Sequence, residues 1–140
     1  MNLTHLFTYL GAPLTNSRWS WGAIRNSDGA VFLRVWQDEG LKIEGRPFTR
    51  ITANAYFAND RGNLGFAERG RHIEAIRAGA KCYLIMCYAQ DVEAEPRVIG
   101  GFDDSTLFEG GELREVDGET CIERLGRVPR ATFRAEKSTS

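Results

Sequence analysis

Apolar residues at Leu3, Leu6, Phe7 and Leu10 recur at helical spacing behind Asn2, and Gly11 and Pro13 follow as stop signals. The spacing predicts a short amphipathic helix that lids a core, with His5 on or near its polar side. From Trp19 the period falls to two. Trp19 to Arg25 reads as a strand, Asn26-Ser27-Asp28-Gly29 as a turn, and Ala30 to Gln37 as the strongest strand in the chain. In that second strand Val31, Leu33, Val35 and Gln37 share one face, while Phe32, Arg34, Trp36 and Asp38 share the other. The first face is plain core. The second mixes aromatic rings with an arginine and ends in an acid.

Asp38 to Arg46 is polar, carries Gly40 and Gly45, and reads as a loop. Pro47 to Ala53 reads as a third strand, and Asn54 to Gly65 as a long loop that holds Tyr56 and Phe57. Phe66 to Ala78 is helical, basic through Arg69, Arg71 and Arg77, and ended by Gly79. Lys81 to Ala89 is the central buried strand. Arg97 to Phe102 and Ser105 to Phe108 are short and extended, and Gly110-Gly111 reads as a bend. Glu112 to Val116 and Glu119 to Leu125 form a second hairpin around Asp117-Gly118. Six or seven strands and two helices follow one another through hairpins, not through regular strand–helix–strand crossovers. The expected fold is therefore α+β: a mostly antiparallel curved sheet or small open β-barrel capped by two or three helices. Residues 1–134 are expected to form one globular domain, with 135–140 a polar tail.

Composition narrows the class. The chain is 42% apolar and 26% charged, which fits a folded domain and argues against global disorder. The longest apolar run, Tyr83 to Ala89, is far short of a membrane span, and the first residues lack the basic and apolar regions of a signal peptide. A cytoplasmic protein with no membrane partner is expected. Three cysteines, Cys82, Cys87 and Cys121, are an odd number without a CxxC motif, so they read as small buried hydrophobes. Charge is uneven along the chain. Residues 1–82 hold eleven Lys/Arg against seven Asp/Glu, and residues 83–140 hold seven against twelve. Nine of those first eleven are arginine, the residue suited to bidentate phosphate and base-edge contacts. The asymmetry points to a face that prefers an anionic partner, or else to mixed surfaces that happen to segregate along the chain.

Phosphate-loop, dinucleotide, zinc-protease, zinc-deaminase and nucleophile-elbow motifs are absent, and with only His5 and His72 the chain offers few metal ligands. No catalytic residue, metal or cofactor is assigned. Asp103-Asp104 and the Glu93/Glu95 pair read as solvated turns. The densest unusual segment is Asn16-Ser17-Arg18-Trp19-Ser20-Trp21-Gly22. Trp19 and Trp21 at i, i+2 would share a strand face, with Ser20 opposite and Trp36, Gln37 and Asp38 across the hairpin. Aromatic faces stack on nucleobases, and Asn, Gln and Asp read a base edge. The expected base-binding set is Arg18, Trp19, Ser20, Trp21, Trp36, Gln37 and Asp38, joined by Asn54 and Tyr56. Arg25, Arg69 and Arg71 are the expected nucleic-acid backbone contacts. The plainer reading makes the tryptophans core, closed by an Arg18–Asp38 ion pair.

The Trp-rich first hairpin, the basic helix running into an apolar strand (Glu74-Ala75-Ile76-Arg77-Ala78-Gly79-Ala80-Lys81-Cys82-Tyr83-Leu84-Ile85) and the β-rich acidic section after it resemble the PUA-like superfamily. Within it the modified-base readers of the SRA and EVE type come closest, over roughly residues 15–128. The resemblance rests on element order and an aromatic hairpin. It implies a curved β-barrel that holds a flipped base between aromatic rings, in restriction of modified DNA or in RNA modification.

Three functions compete. The first is a nucleic-acid-binding module that accommodates a base, modified in the family it resembles, with DNA preferred over RNA and a separate effector protein as partner. The second is a small enzyme acting on a nucleotide or other anionic small molecule, with Asp38 or Glu74 as acid/base. The third is a protein-interaction module centred on the Trp and Arg residues.

Overall fold

In the computed structural model, which describes residues 1–54, 62–94 and 97–133, Asn2 caps the first helix, α1 (Leu3–Tyr9), its side-chain oxygen accepting from the His5 N–H at 2.8 Å. Leu6, Phe7 and Leu10 are buried, as their spacing requires. Each such side chain contributes about 1.5–3 kcal/mol by leaving water, which is how a helix too short to persist alone is held. The strands are β1 (Gly22–Ile24), β2 (Val31–Trp36), β3 (Gly40–Ile43), β4 (Arg46–Arg50), β5 (Cys82–Ala89), β6 (Ile99–Phe102), β7 (Thr106–Val116) and β8 (Glu119–Pro129). The second main helix, α2 (Leu64–Arg77), precedes β5 and is capped by the Asn63 side chain, which accepts from the Phe66 N–H at 2.9 Å.

These elements make an α+β fold with an eight-stranded, mixed, mostly antiparallel open sheet. The strand order is β1-β2-β5-β7-β8-β4-β3. β6 pairs with Cys87–Ala89 of β5, and β7 pairs with Cys82–Leu84 of the same strand. The parallel pair is β2–β5, in register from Val31↔Cys82 to Trp36↔Cys87. Both faces of that pair are covered. Phe32, Ile85 and Cys87 pack with α1, while Val31, Leu33, Val35, Leu84 and Met86 pack with Ile73 of α2, Ile51 and Ile122. Ile51 follows β4, which is remote from β2 in strand order, so its packing against β2 curls the sheet. Among the described residues the longest helix has 14 residues, and none is long and apolar enough to cross a membrane.

Several elements differ from the sequence expectation, each for a local reason. The first strand is only Gly22–Ile24, because residues 17–19 form a turn. There the Asn16 side chain accepts from the Arg18 N–H at 2.8 Å, the Ser20 hydroxyl accepts from the Asn16 N–H at 3.0 Å, and the Ser20 N–H donates to the Asn16 carbonyl. Such side-chain-to-backbone bonds compete with a strand ladder. Trp19 and Trp21 therefore do not share a strand face. The expected loop at Asp38–Arg46 instead holds a 3-10 turn, Gln37–Glu39, and the β3–β4 hairpin. Glu44 and Gly45, both at positive φ, form its two-residue turn. The two extended pieces around Gly110-Gly111 are one strand, β7, with register shifts between Phe108 and Leu113. The turns at Asn26–Gly29 and Asp117-Gly118 are as expected, Asp117 and Gly118 both having positive φ. The 135–140 tail and the aromatic part of the Asn54–Gly65 segment, with Tyr56, lie outside the described residues.

Gly65, in the first turn of α2, lies against the Trp19 carbonyl and the Trp21 indole, where an added Cβ would come within 2.5 Å of both. In an unhindered helix Gly→Ala stabilises by up to about 1 kcal/mol. Here Gly65→Ala is expected to destabilise by about 1–3 kcal/mol, read as a lower urea midpoint. An unchanged or raised midpoint would mean that the Trp21 segment does not rest on α2.

Candidate functional site

An open pocket of about 720 Å³ lies where the ends of β2 and β5, the end of β4, α2 and residues Val92, Glu93, Ala94, Arg97 and Ile99 converge. Trp21, just before β1, and Trp36, the last residue of β2, line it. So do four arginines, Arg34, Arg50, Arg69 and Arg97, and two glutamates, Glu39 and Glu93. Aromatic and cationic groups therefore share one lining with aliphatic and acidic ones, a combination that can receive a planar, anionic ligand.

The arginines divide by depth. Arg97 and Arg50 are at the rim, with side chains 23% and 37% exposed, and both are engaged. Arg97 donates to both oxygens of Asp38, at 2.8 and 2.6 Å, and its guanidinium lies 5.3 Å from the Trp36 ring centre. Arg50 donates to Glu39 at 3.3 Å. Arg69 is 5% exposed. It donates to the carbonyls of Ile51 at 2.6 Å, Arg34 at 2.8 Å and Trp21 at 3.1 Å, and lies 5.9 Å from the Trp21 ring centre. Its pKa is pushed down to about 10 by burial and then by the neighbouring Arg34 charge, so it stays cationic at neutral pH. Burial also lowers the pKa of Arg34. No carboxylate among the described residues forms an ion pair with Arg34, and the buried Nε atoms of Arg34 and Arg69 lack hydrogen-bond acceptors.

Behind this wall the inward face of α2 is polar: Glu68, Arg69 and His72 are all buried. One Glu68 oxygen accepts from the Ser20 hydroxyl at 3.2 Å, and the other has no partner. Glu68 lends part of its charge to both Arg34 and Arg69 but does not line the pocket. Cys87 does line it, yet burial pushes its thiol up to about 11, and that of Cys82 up to about 12. Neither is a nucleophile at neutral pH.

The expected site residues divide accordingly. Trp21, Trp36 and Arg69 come together in the pocket, and Asp38 reaches it through Arg97. Ser20 is buried against Glu68. Arg18 and Gln37 are exposed and Trp19 is half-buried, and none lines the pocket. Arg25 is buried, forked onto Asp28 at 3.0 and 2.6 Å and packed over Phe32 and Phe133. Arg71 is exposed on α2. Asn54 donates to the Gly118 carbonyl at 2.8 Å and lines a smaller cavity of about 250 Å³ that shares Arg69 and Thr52. Tyr56 lies outside the described residues. Arg34, Arg50 and Arg97 were not singled out. Arg34 alone had a signal, its place between Phe32 and Trp36 on one strand face. Among the described residues no group of three His, Cys, Asp or Glu side chains is placed to hold a metal ion.

No protein-family model, curated protein or solved structure matches the chain.

His72, 5% exposed with an unpartnered Nδ1, has its pKa pushed down to about 4 by burial, then by Arg69 and Arg71. Folding thus favours the neutral ring. The unfolded chain takes up this proton first as pH falls below about 6.5, so the stabilisation is full above that value and is lost on the way down to about 4. Between pH 7 and 5 the native chain is expected to lose about 1–2 kcal/mol more stability than His72→Gln, compared by urea midpoints. Equal losses in the two proteins would contradict a buried neutral ring.

Proposed function

We propose that the chain is a nucleic-acid-binding module that receives a base in the pocket lined by Trp21 and Trp36. One observation carries the reading: two indoles and four arginines line a single concavity of ligand size. Indole faces stack on any base, and cations draw the polyanion to the mouth. The element order that resembles SRA- and EVE-type readers supports a modified base, DNA ahead of RNA, and a separate effector protein to act on what is bound. Binding is favoured over turnover by the state of the candidate reactive groups. Both Asp38 oxygens are held by Arg97, Glu74 is paired with Arg77 at 2.5 Å on the exposed face of α2, and the Cys87 thiol is protonated.

Quenching of tryptophan fluorescence by short oligonucleotides, unmodified and carrying common base modifications, tests the proposal. Saturable quenching that weakens steeply with salt is expected. Trp36→Ala should weaken binding by about 1–3 kcal/mol, whereas Arg18→Ala, outside the pocket, should leave it unchanged. Trp21→Ala should act like Trp36→Ala, with urea melts separating loss of binding from loss of its packing on α2. A folded Trp36→Ala protein that binds as tightly as the parent would overturn the pocket assignment.

A further inference from the structure

We infer that the floor of the pocket, formed by Arg34 and Arg69, binds an oxyanion, so that the nucleotide it admits carries a terminal phosphate monoester. The inference rests on the reading of the pocket as a nucleotide site and specifies its ligand. The argument begins with depth. The rim arginines have their partners, Asp38 for Arg97 and Glu39 for Arg50. The deep pair does not: Arg69 is spent on three backbone carbonyls that carry no net charge, and Arg34 has no acceptor at its buried Nε. Arg34 and Arg69 both line the cavity; burial lowers the pKa of each, the Arg34 charge lowers that of Arg69 further, and the Glu68 carboxylate opposes both shifts.

Buried charge of this kind is compensated best by an ion of opposite sign that accepts hydrogen bonds. Arg69 is immobilised and supplies fixed positive charge. Among the described residues the Arg34 guanidinium has no carboxylate partner and no acceptor at Nε, which leaves it for a bidentate contact. A neutral base edge, such as O6 and N7 of guanine, could accept from Arg34 but would leave the charge uncompensated. An internal nucleotide flipped out of a strand keeps its phosphates at the mouth, where the engaged arginines are, and not at the floor. A terminal phosphate enters with its base, and a pocket in the range of about 300–1,000 Å³ holds a ligand larger than a base alone. The same chemistry is offered by a free nucleoside monophosphate and by a phosphorylated strand end.

Calorimetric titration of the full chain with a nucleoside, its monophosphate, and one oligonucleotide with and without terminal phosphates tests the inference. The monophosphate is expected to bind at least about tenfold more tightly than the nucleoside, and Arg34→Gln to erase that difference. A preference for the phosphorylated oligonucleotide over the free monophosphate would assign the site to strand ends, and the reverse to free nucleotides. Equal binding of nucleoside and monophosphate, or a preference that survives in a folded Arg34→Gln protein, would overturn the oxyanion floor. If oligonucleotides bind through Trp36 regardless of terminal phosphate, the floor assignment falls while the base-binding proposal stands. If no nucleoside, nucleotide or oligonucleotide binds, both fall.

Discussion

A buried arginine joins the two arms of the curled sheet. Arg69 projects from α2 and donates to the carbonyl of Ile51, just beyond β4, and to those of Trp21 and Arg34, at β1 and β2. These segments belong to opposite ends of the strand order. Burying a guanidinium costs several kcal/mol unless its donors are satisfied, and the curl of the sheet brings three carbonyls to it. The walls of the pocket are the same segments. Arg69 thereby ties α2 to both of the segments that wall the pocket. These bonds account for the inward turn of Arg69, which α2 buries beside Glu68, His72 and the apolar Ile73.

Pairing across the sheet accounts for the uneven charge along the chain. Basic residues of the first part meet acids of the second: Arg46 of β4 with Glu123 of β8 and Glu112 of β7, and Arg77 of α2 with Glu115 of β7. The reverse pairing also occurs, Arg114 meeting Glu44 and Arg97 meeting Asp38. Exposed pairs of this type each contribute about 0–1 kcal/mol, so their main effect is to cancel charge locally. Arg34 and Arg69, which line the pocket, have no carboxylate ion-pair partner among the described residues. A near-neutral chain thus keeps a cationic interior without a broadly basic surface.

The pocket is built so that positive charge deepens inward. Arg50 and Arg97 at the rim are tied to carboxylates, Arg69 is tied to three carbonyls, and Arg34 has no carboxylate partner among the described residues. In the low-dielectric interior an unneutralised guanidinium interacts more strongly with an incoming anion than a rim charge screened by water. Selectivity for an anionic group can therefore reside in the floor while the indoles supply contact area.

Local chemistry was legible in the sequence wherever one segment decides its own state. The Asn2 cap and the Leu3–Leu10 spacing wrote α1, the turn-forming residues wrote the hairpins at Asn26–Gly29 and Asp117-Gly118, and the apolar run at Cys82–Ala89 wrote the central strand. From these the α+β class and the antiparallel bias followed. The β3–β4 hairpin was missed because its alternation is short and its turn, Glu44-Gly45, needs a positive φ at a glutamate. The strand at Trp19 was overcalled because the Asn16–Ser20 bonds act through side chains that periodicity does not weigh. The candidate site was legible only in Trp21, Trp36 and Arg69. Arg34, Arg50 and Arg97 come from separate elements, and which charge finds a partner is set by strand order and burial. Hydrophobic period and turn chemistry are properties of neighbours along the chain. Desolvation and charge pairing are properties of neighbours in space, and those exist only once the sheet has curled around Arg69.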